Sequence, residues 1–229
     1  MRYWLLLLLM VNKVSAQFAI VNDKDGYVNV REAGDITSKV VDKLANQWLV
    51  IYGPEEKEWV SIEYNKGGKL KSGYVHASRL VFTTDIAGIK SLREIKRSGR
   101  QSVYKLDSVR VTVTIGPFAV KQHRITYIES EPPCNVEKID GKYYWGKDSE
   151  IPDTEYKSIE VQWGGHTALM PAAGLSGVFQ PDDALVDAWY DKAANRLYME
   201  IVNGDGAGAY NCIWLWENGK YIDRLVWVP

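Results

Sequence analysis

The sequence predicts an all-β protein: a small, strongly bent barrel, then an antiparallel sandwich or closed sheet, with a short helical connector between them. Three observations carry this. The 229 residues include 14 Tyr and 9 Trp, with frequent Val and Ile, the residue types that suit pleated, half-buried surfaces. Turn dipeptides recur about every ten residues between short runs that alternate apolar and polar. Only one stretch, Thr84 to Arg97, shows helical spacing.

The chain opens with an export-like leader, residues 1–16. Arg2 supplies a positive start, Tyr3 to Val11 is an unbroken apolar run, and Val14-Ser15-Ala16 ends in the small-x-small pattern of a cleavage site. Nine apolar residues are too few for a spanning helix, which needs about 20. No cysteine follows Ala16, so a lipoprotein signal is not expected, nor is a stable membrane anchor. The mature chain would be residues 17–229, periplasmic or secreted. Removing Arg2 and Lys13 leaves 26 Lys+Arg against 29 Asp+Glu, a net of −3. So weak a balance speaks against nucleic acid as a partner.

Residues 17–81 form the first expected domain. Tyr27 to Arg31 alternates, so Val28 and Val30 share one face and Tyr27, Asn29 and Arg31 the other. Val40, Val41 and Leu44 form a second run. Trp48 to Tyr52 is a third, ended by Gly53-Pro54. Trp59 to Ile62 is a fourth, with Trp59 expected in the core beside Val60. Gly73 to His76 is a fifth. Asn22-Asp23-Lys24-Asp25-Gly26 echoes a calcium loop, but Val21 stands where the first ligand is needed, so it is read as a turn.

The order of these runs resembles bacterial SH3-like (SH3b) domains. Gly26, Val28, Asn29, Val30 and Arg31 match the opening motif of that family. Trp59, Val60 and Ile62 match the middle, and Gly73, Tyr74, Val75 and Leu80 the closing strand. Asn46-Gln47 replaces a usual glycine before the third strand. The resemblance implies a binding role towards cell-wall peptide or glycan, or an envelope protein, without catalysis and without proline-rich recognition. Alternation makes Tyr27, Asn29, Arg31 and Tyr74 the candidate ligand residues, because exposed Tyr beside polar groups can stack on a sugar ring or peptide plane. The competing reading is that Asn29 and Arg31 only brace neighbouring loops.

Residues 82–102 form the connector. Ile86, Ile89, Leu92 and Ile95 lie three apart, which predicts a helix capped by Thr84 or Asp85 with Lys90, Arg93, Lys96 and Arg97 on its other face. Residues 103–229, with 12 basic and 18 acidic groups, follow as one antiparallel β domain. Val109 to Ile115 and Ile159 to Trp163 are strands. Ala184–Tyr190, Leu197–Val202, Tyr210–Glu217 and Lys220–Val228 form a meander of four. The most distinctive stretch is Asn203-Gly-Asp-Gly-Ala-Gly-Ala-Tyr210. Asp205 and Tyr210 there are further candidate ligand residues, set against the alternative of a wide bulged turn.

Export would permit one disulfide, Cys134–Cys212; two separate buried thiols are the other reading. Enzyme readings find no local signature. Cys212 is expected mid-strand, and Cys134 follows Pro132-Pro133. Ser176 sits in an incomplete serine elbow, His123 and His166 are scattered, and no metal spacing or cofactor motif appears. The expectation is therefore an exported, non-enzymatic binding protein. The alternatives are an inhibitor or immunity protein against an envelope-acting toxin, and a wall hydrolase whose catalytic half carries no familiar motif.

Overall fold

The structure is a computed structural model that describes residues 18–82, 89–128, 135–181, 186–204 and 206–228. The leader, Asp205 and Cys134 lie outside the described residues. The all-β class holds, and the second unit is a sandwich.

The first seven strands are β1 (Phe18–Val21), β2 (Tyr27–Arg31), β3 (Val40–Ala45), β4 (Leu49–Glu56), β5 (Trp59–Lys66), β6 (Lys69–His76) and β7 (Leu80–Phe82). They hydrogen-bond in the order β3-β2-β6-β5-β4-β1-β7, all antiparallel, as one curled sheet. Its concave side packs Val28, Val30, Leu44, Val60, Ile62 and Val75. Gly73 is dictated by this curl. A Cβ there would lie 2.4 Å from Val30 Cγ1 and 2.8 Å from the Arg31 carbonyl, where β2 crosses β6.

The predicted connector helix is not formed where the chain is described. Residues 83–88 lie outside the description, Ile89–Ser91 forms strand β8, and Arg93–Ser98 forms strand β9. Of the described residues of the supposed stripe only Leu92 is buried, and its N–H donates to the Ala188 carbonyl at 2.8 Å; Ile95 is exposed. Leu92 marks the point where the chain steps from one sheet of the sandwich to the other. Pairing with two existing sheet edges has overridden a short three-residue period.

The sandwich is built from β8, β9, β10 (Gln101–Leu106), β11 (Val109–Pro117), β14 (Thr154–Trp163), β15 (His166–Leu169), β16 (Val186–Asp191), β17 (Arg196–Asn203), β18 (Tyr210–Glu217) and β19 (Lys220–Trp227). A hairpin of β12 (Ile125–Tyr127) and β13 (Val136–Ile139) lies apart, and a single helical turn, α1, spans Ala172–Leu175. One five-stranded sheet runs β15-β14-β11-β10-β9 and the other β19-β18-β17-β16-β8. Between them lie Val111, Val113, Ile159 and Val161 from the first sheet and Leu197, Met199, Trp214 and Trp216 from the second.

The second sheet is covered on both faces. Tyr198, Ile213, Leu215 and Leu225 point away from the sandwich and pack on Phe18, Ile20, Leu49 and Ile51 of the curled sheet. The molecule thus has three β layers, and seven of the eight residues of β18 are buried. Asn65 Nδ2 donates to the Arg224 carbonyl at 2.7 Å, and Arg196 Nη1 to the Gln47 carbonyl at 2.5 Å, across the same interface. Two polar side chains sit on this inner face. Glu200 is 8% exposed, and burial, then the nearby Asp187 carboxylate, push its carboxyl up to about 8. Asn211 is fully buried, with no hydrogen-bond partner for its amide among the described residues.

Candidate binding cleft

The expected ligand residues separate along the curled sheet. On β2, Tyr27, Asn29 and Arg31 do share the outer face, as alternation requires. Tyr27 is exposed, but Lys43 Nζ lies 4.4 Å from its ring centre, and four residues of strand, about 13 Å, part it from Arg31. Asn29 is half-buried, with its Oδ1 unpartnered among the described residues. Arg31 Nη1 donates to the Ser38 carbonyl at 2.5 Å, which braces the loop after β2. Tyr74 stands directly opposite Arg31 across the β2–β6 pairing and opposite Ser61 across β5–β6. Among the described candidates only Arg31 and Tyr74 are therefore brought together from different strands.

Tyr74 lines two adjoining hollows. One, of about 510 Å³, is walled by Ala33, Gly34, Lys57, Trp59 and Tyr74. The other, of about 540 Å³, is lined by Glu32, Gly53, Ser61, Glu63, Ser72 and Tyr74 among others, and Trp227 of β19 closes it from the sandwich side. Gly34 is seated between two rings. A Cβ there would lie 3.0 Å from Trp59 Cβ and 3.5 Å from Tyr74 Cδ1.

Trp59 corrects an expectation. It is half-buried and stands outside the core of the curled sheet, with its ring edge-on to His76 at 5.6 Å. Val60 and Ile62 take the inward positions, so Trp59 and Ser61 face out. The turn before it, Lys57-Glu58, holds both residues at positive φ, 49° and 70°. Hairpin turns of this twist ordinarily use Asn-Gly, and a side chain in that region costs roughly 1–2 kcal/mol per residue. The Ala77 N–H donates to the Glu58 carbonyl at 2.8 Å and anchors the turn. A strained turn beside an aromatic cleft fixes where Lys57 and Trp59 are presented. Such a cleft can stack a flat or ring-shaped group on the open faces of Trp59 and Tyr74, with Lys57 beside it.

Tyr210, expected to face a ligand, presents no surface to one. It is fully buried, its hydroxyl donates to the Phe179 carbonyl at 2.8 Å, and it accepts from Asn203 Nδ2 at 2.9 Å. Gly204 and Gly208 before it serve a close backbone contact. The Gly146 N–H donates to the Gly208 carbonyl at 2.8 Å, and a Cβ on Gly208 would lie 2.8 Å from three backbone atoms of Lys147.

Among the described residues, His123 is engaged, Cys212 is buried and His166 is exposed. His123 places Nδ1 2.7 Å from Asp140 Oδ2 and Nε2 2.7 Å from Glu155 Oε2, stacked on Phe118. Burial alone would lower its pKa, but the two carboxylate hydrogen bonds outweigh that and raise it. Asp140 and Glu155 are held low, the bonds from His123, Lys157 and nearby backbone amides outweighing burial. With both nitrogens held by carboxylates, His123 is an ion-pair hub with neither nitrogen free to serve as a base. Cys212 is a free thiol with no exposed surface, pushed up to about 12 by burial. His166 lies exposed on β15, at the edge of its sheet. No group of three His, Cys, Asp or Glu side chains that could hold a metal ion is present among the described residues.

No known protein family, curated protein or solved structure matches the chain.

Proposed function

We propose that this is an exported binding protein of the bacterial cell envelope, periplasmic or secreted, whose N-terminal SH3-like module holds its ligand in the Trp59–Tyr74 cleft. The ligand is a cell-wall peptide or glycan, or an envelope protein. The observation that carries the proposal is the cleft itself: two half-buried rings set around Gly34, beside a turn held at positive φ by two residues that carry side chains. The export-like leader and the residue order shared with SH3b domains supply the compartment and the ligand class.

Retention on purified sacculi, and titration calorimetry with soluble wall fragments, test it. Tyr74→Ala and Gly34→Leu are expected to weaken retention tenfold or more, at about 1.4 kcal/mol for each factor of ten. Tyr27→Ala, at the far end of β2, is expected to leave it unchanged. Equal retention of all three variants, or no retention of the parent protein on sacculi or in a pull-down from envelope lysate, would sink the proposal.

A further inference from the structure

The positive charge of the connector has not gone into a docked helix face. Residues 89–100 contain Lys90, Arg93, Lys96, Arg97 and Arg100 against the single acid Glu94. All six residues of β9 are exposed, and β9 is the last strand of its sheet. Arg97 is paired with Glu94 at 2.7 Å. Lys90, Arg93, Lys96, Arg100 and Lys105 have no ion-pair partner among the described residues. The ladder slips by one residue opposite Val103 and Tyr104, which leaves Ile95 as a bulge, and bulges re-aim side chains. Ile95 is 52% exposed.

Lys90, Arg93, Lys105 and Ile95 of this set line a groove of about 650 Å³ where the chain crosses between the sheets. Ile95 and Leu106 give it an aliphatic floor, Lys90, Arg93 and Lys105 line it, and Asp107 is its one acid among the described residues. We infer that this β8–β9 edge is a docking face for an acidic polypeptide segment that carries an apolar side chain between carboxylates. Three features select that partner. Unpaired cations on three strands can each take a carboxylate at short range. The aliphatic floor rewards an apolar side chain, which a bare polyanion lacks. No aromatic ring among the described residues lines the groove, so neither a sugar ring nor a nucleobase finds a stacking surface there. The residues from 103 onward carry a net −6, so attraction is confined to close contact rather than long-range steering. The same cations repel a second copy of this edge, so selection for an acidic partner and protection against self-pairing coincide.

The test is fluorescence anisotropy on the full mature chain, with a labelled peptide bearing one leucine between two pairs of glutamates. Saturable binding is expected, weakening as salt rises from about 50 to 300 mM because the contacts are exposed. Arg93→Glu and Lys105→Glu are each expected to weaken it about tenfold, with melting unchanged. Replacing the peptide's leucine by serine should weaken it too. No saturable binding, or binding untouched by both charge reversals, would overturn the inference. So would equal affinity for the serine peptide, or tighter binding of inorganic polyphosphate, since either makes the edge a general polyanion surface. Charge reversals that change only self-association in sedimentation would assign the cations to edge protection alone and refute it.

Discussion

Replacing Glu200 by glutamine keeps the side chain's shape and removes its ability to ionise. In the folded protein this carboxyl lies on the inner face of the middle sheet, opposite Ile213 across β17–β18 and opposite Asp187 across β16–β17. Burial, with Asp187 adding to it, raises its pKa from the ordinary 4.5 to about 8. The neutral form is therefore the one the fold accepts. Stability is full below about 4.5 and is lost as pH rises towards and through about 8, the opposite of a salt-bridged carboxylate. At about 1.36 kcal/mol per tenfold change in proton affinity, the difference of about 3.5 puts the whole effect on the order of 5 kcal/mol. Urea unfolding of wild type and Glu200→Gln between about pH 5 and pH 9 measures it. The difference between the two profiles isolates Glu200, because every other titrating group is common to both. The variant is expected to gain on wild type steadily as pH rises, by several kcal/mol at the alkaline end. Parallel profiles would show that Glu200 reaches water, and the burial argument would fall.

Four further outcomes are expected. Trp59→Ala should cost about 1–3 kcal/mol in urea unfolding, below the 3–5 of a fully buried ring, because part of it is already wet; a cost above 4 would return it to the core. His123→Gln should lose about 1–3 kcal/mol near pH 6, and the gap should close on both sides. His123 stabilises below its ordinary 6.5 and loses this as pH rises through its raised value, whereas Asp140 and Glu155 lose theirs as pH falls through their lowered ones. A gap independent of pH would dissolve the ion-pair hub. In a Cys134→Ser background, Cys212 should resist thiol reagents until the protein unfolds, and rapid labelling of the native state would contradict its burial. A fragment of residues 18–82 should bind a hydrophobic dye and self-associate, since it uncovers Phe18, Ile20, Leu49 and Ile51; a dye-silent monomer would mean that this face does not need the sandwich.

Much of the fold was legible because most strands have one wet face. Val109 to Ile115 and Tyr27 to Arg31 alternate in sequence and in burial alike. What escaped was each place where a strand has two dry faces or a partner far along the chain. β1, Phe-Ala-Ile-Val, is buried throughout and shows no alternation to read. The three layers follow from residues 198–225 meeting residues 18–51, a pairing that no local pattern encodes. The connector failed because a spacing of three is compatible with a helix and equally with two short strands that turn at Leu92. Within the cleft, Tyr74 was found by alternation. Trp59 was available to the same logic, since Val60 and Ile62 already claim the inward side. Gly34 and Trp227 carried no signal, because their role exists only once distant segments meet.

The two-sided middle sheet has a consequence for how the chain is made. Ile51 leaves the ribosome 162 residues before Ile213, which belongs to the same core cluster. At about 5–20 residues per second that is roughly 10–30 s in which a finished curled sheet carries an uncovered apolar face. Throughout that time the chain must be kept from adhering to its neighbours, and a holding chaperone during synthesis is the natural guardian of that interval. A substitution that slows the arrival of β17 to β19 would then act on yield rather than on the stability of the finished protein.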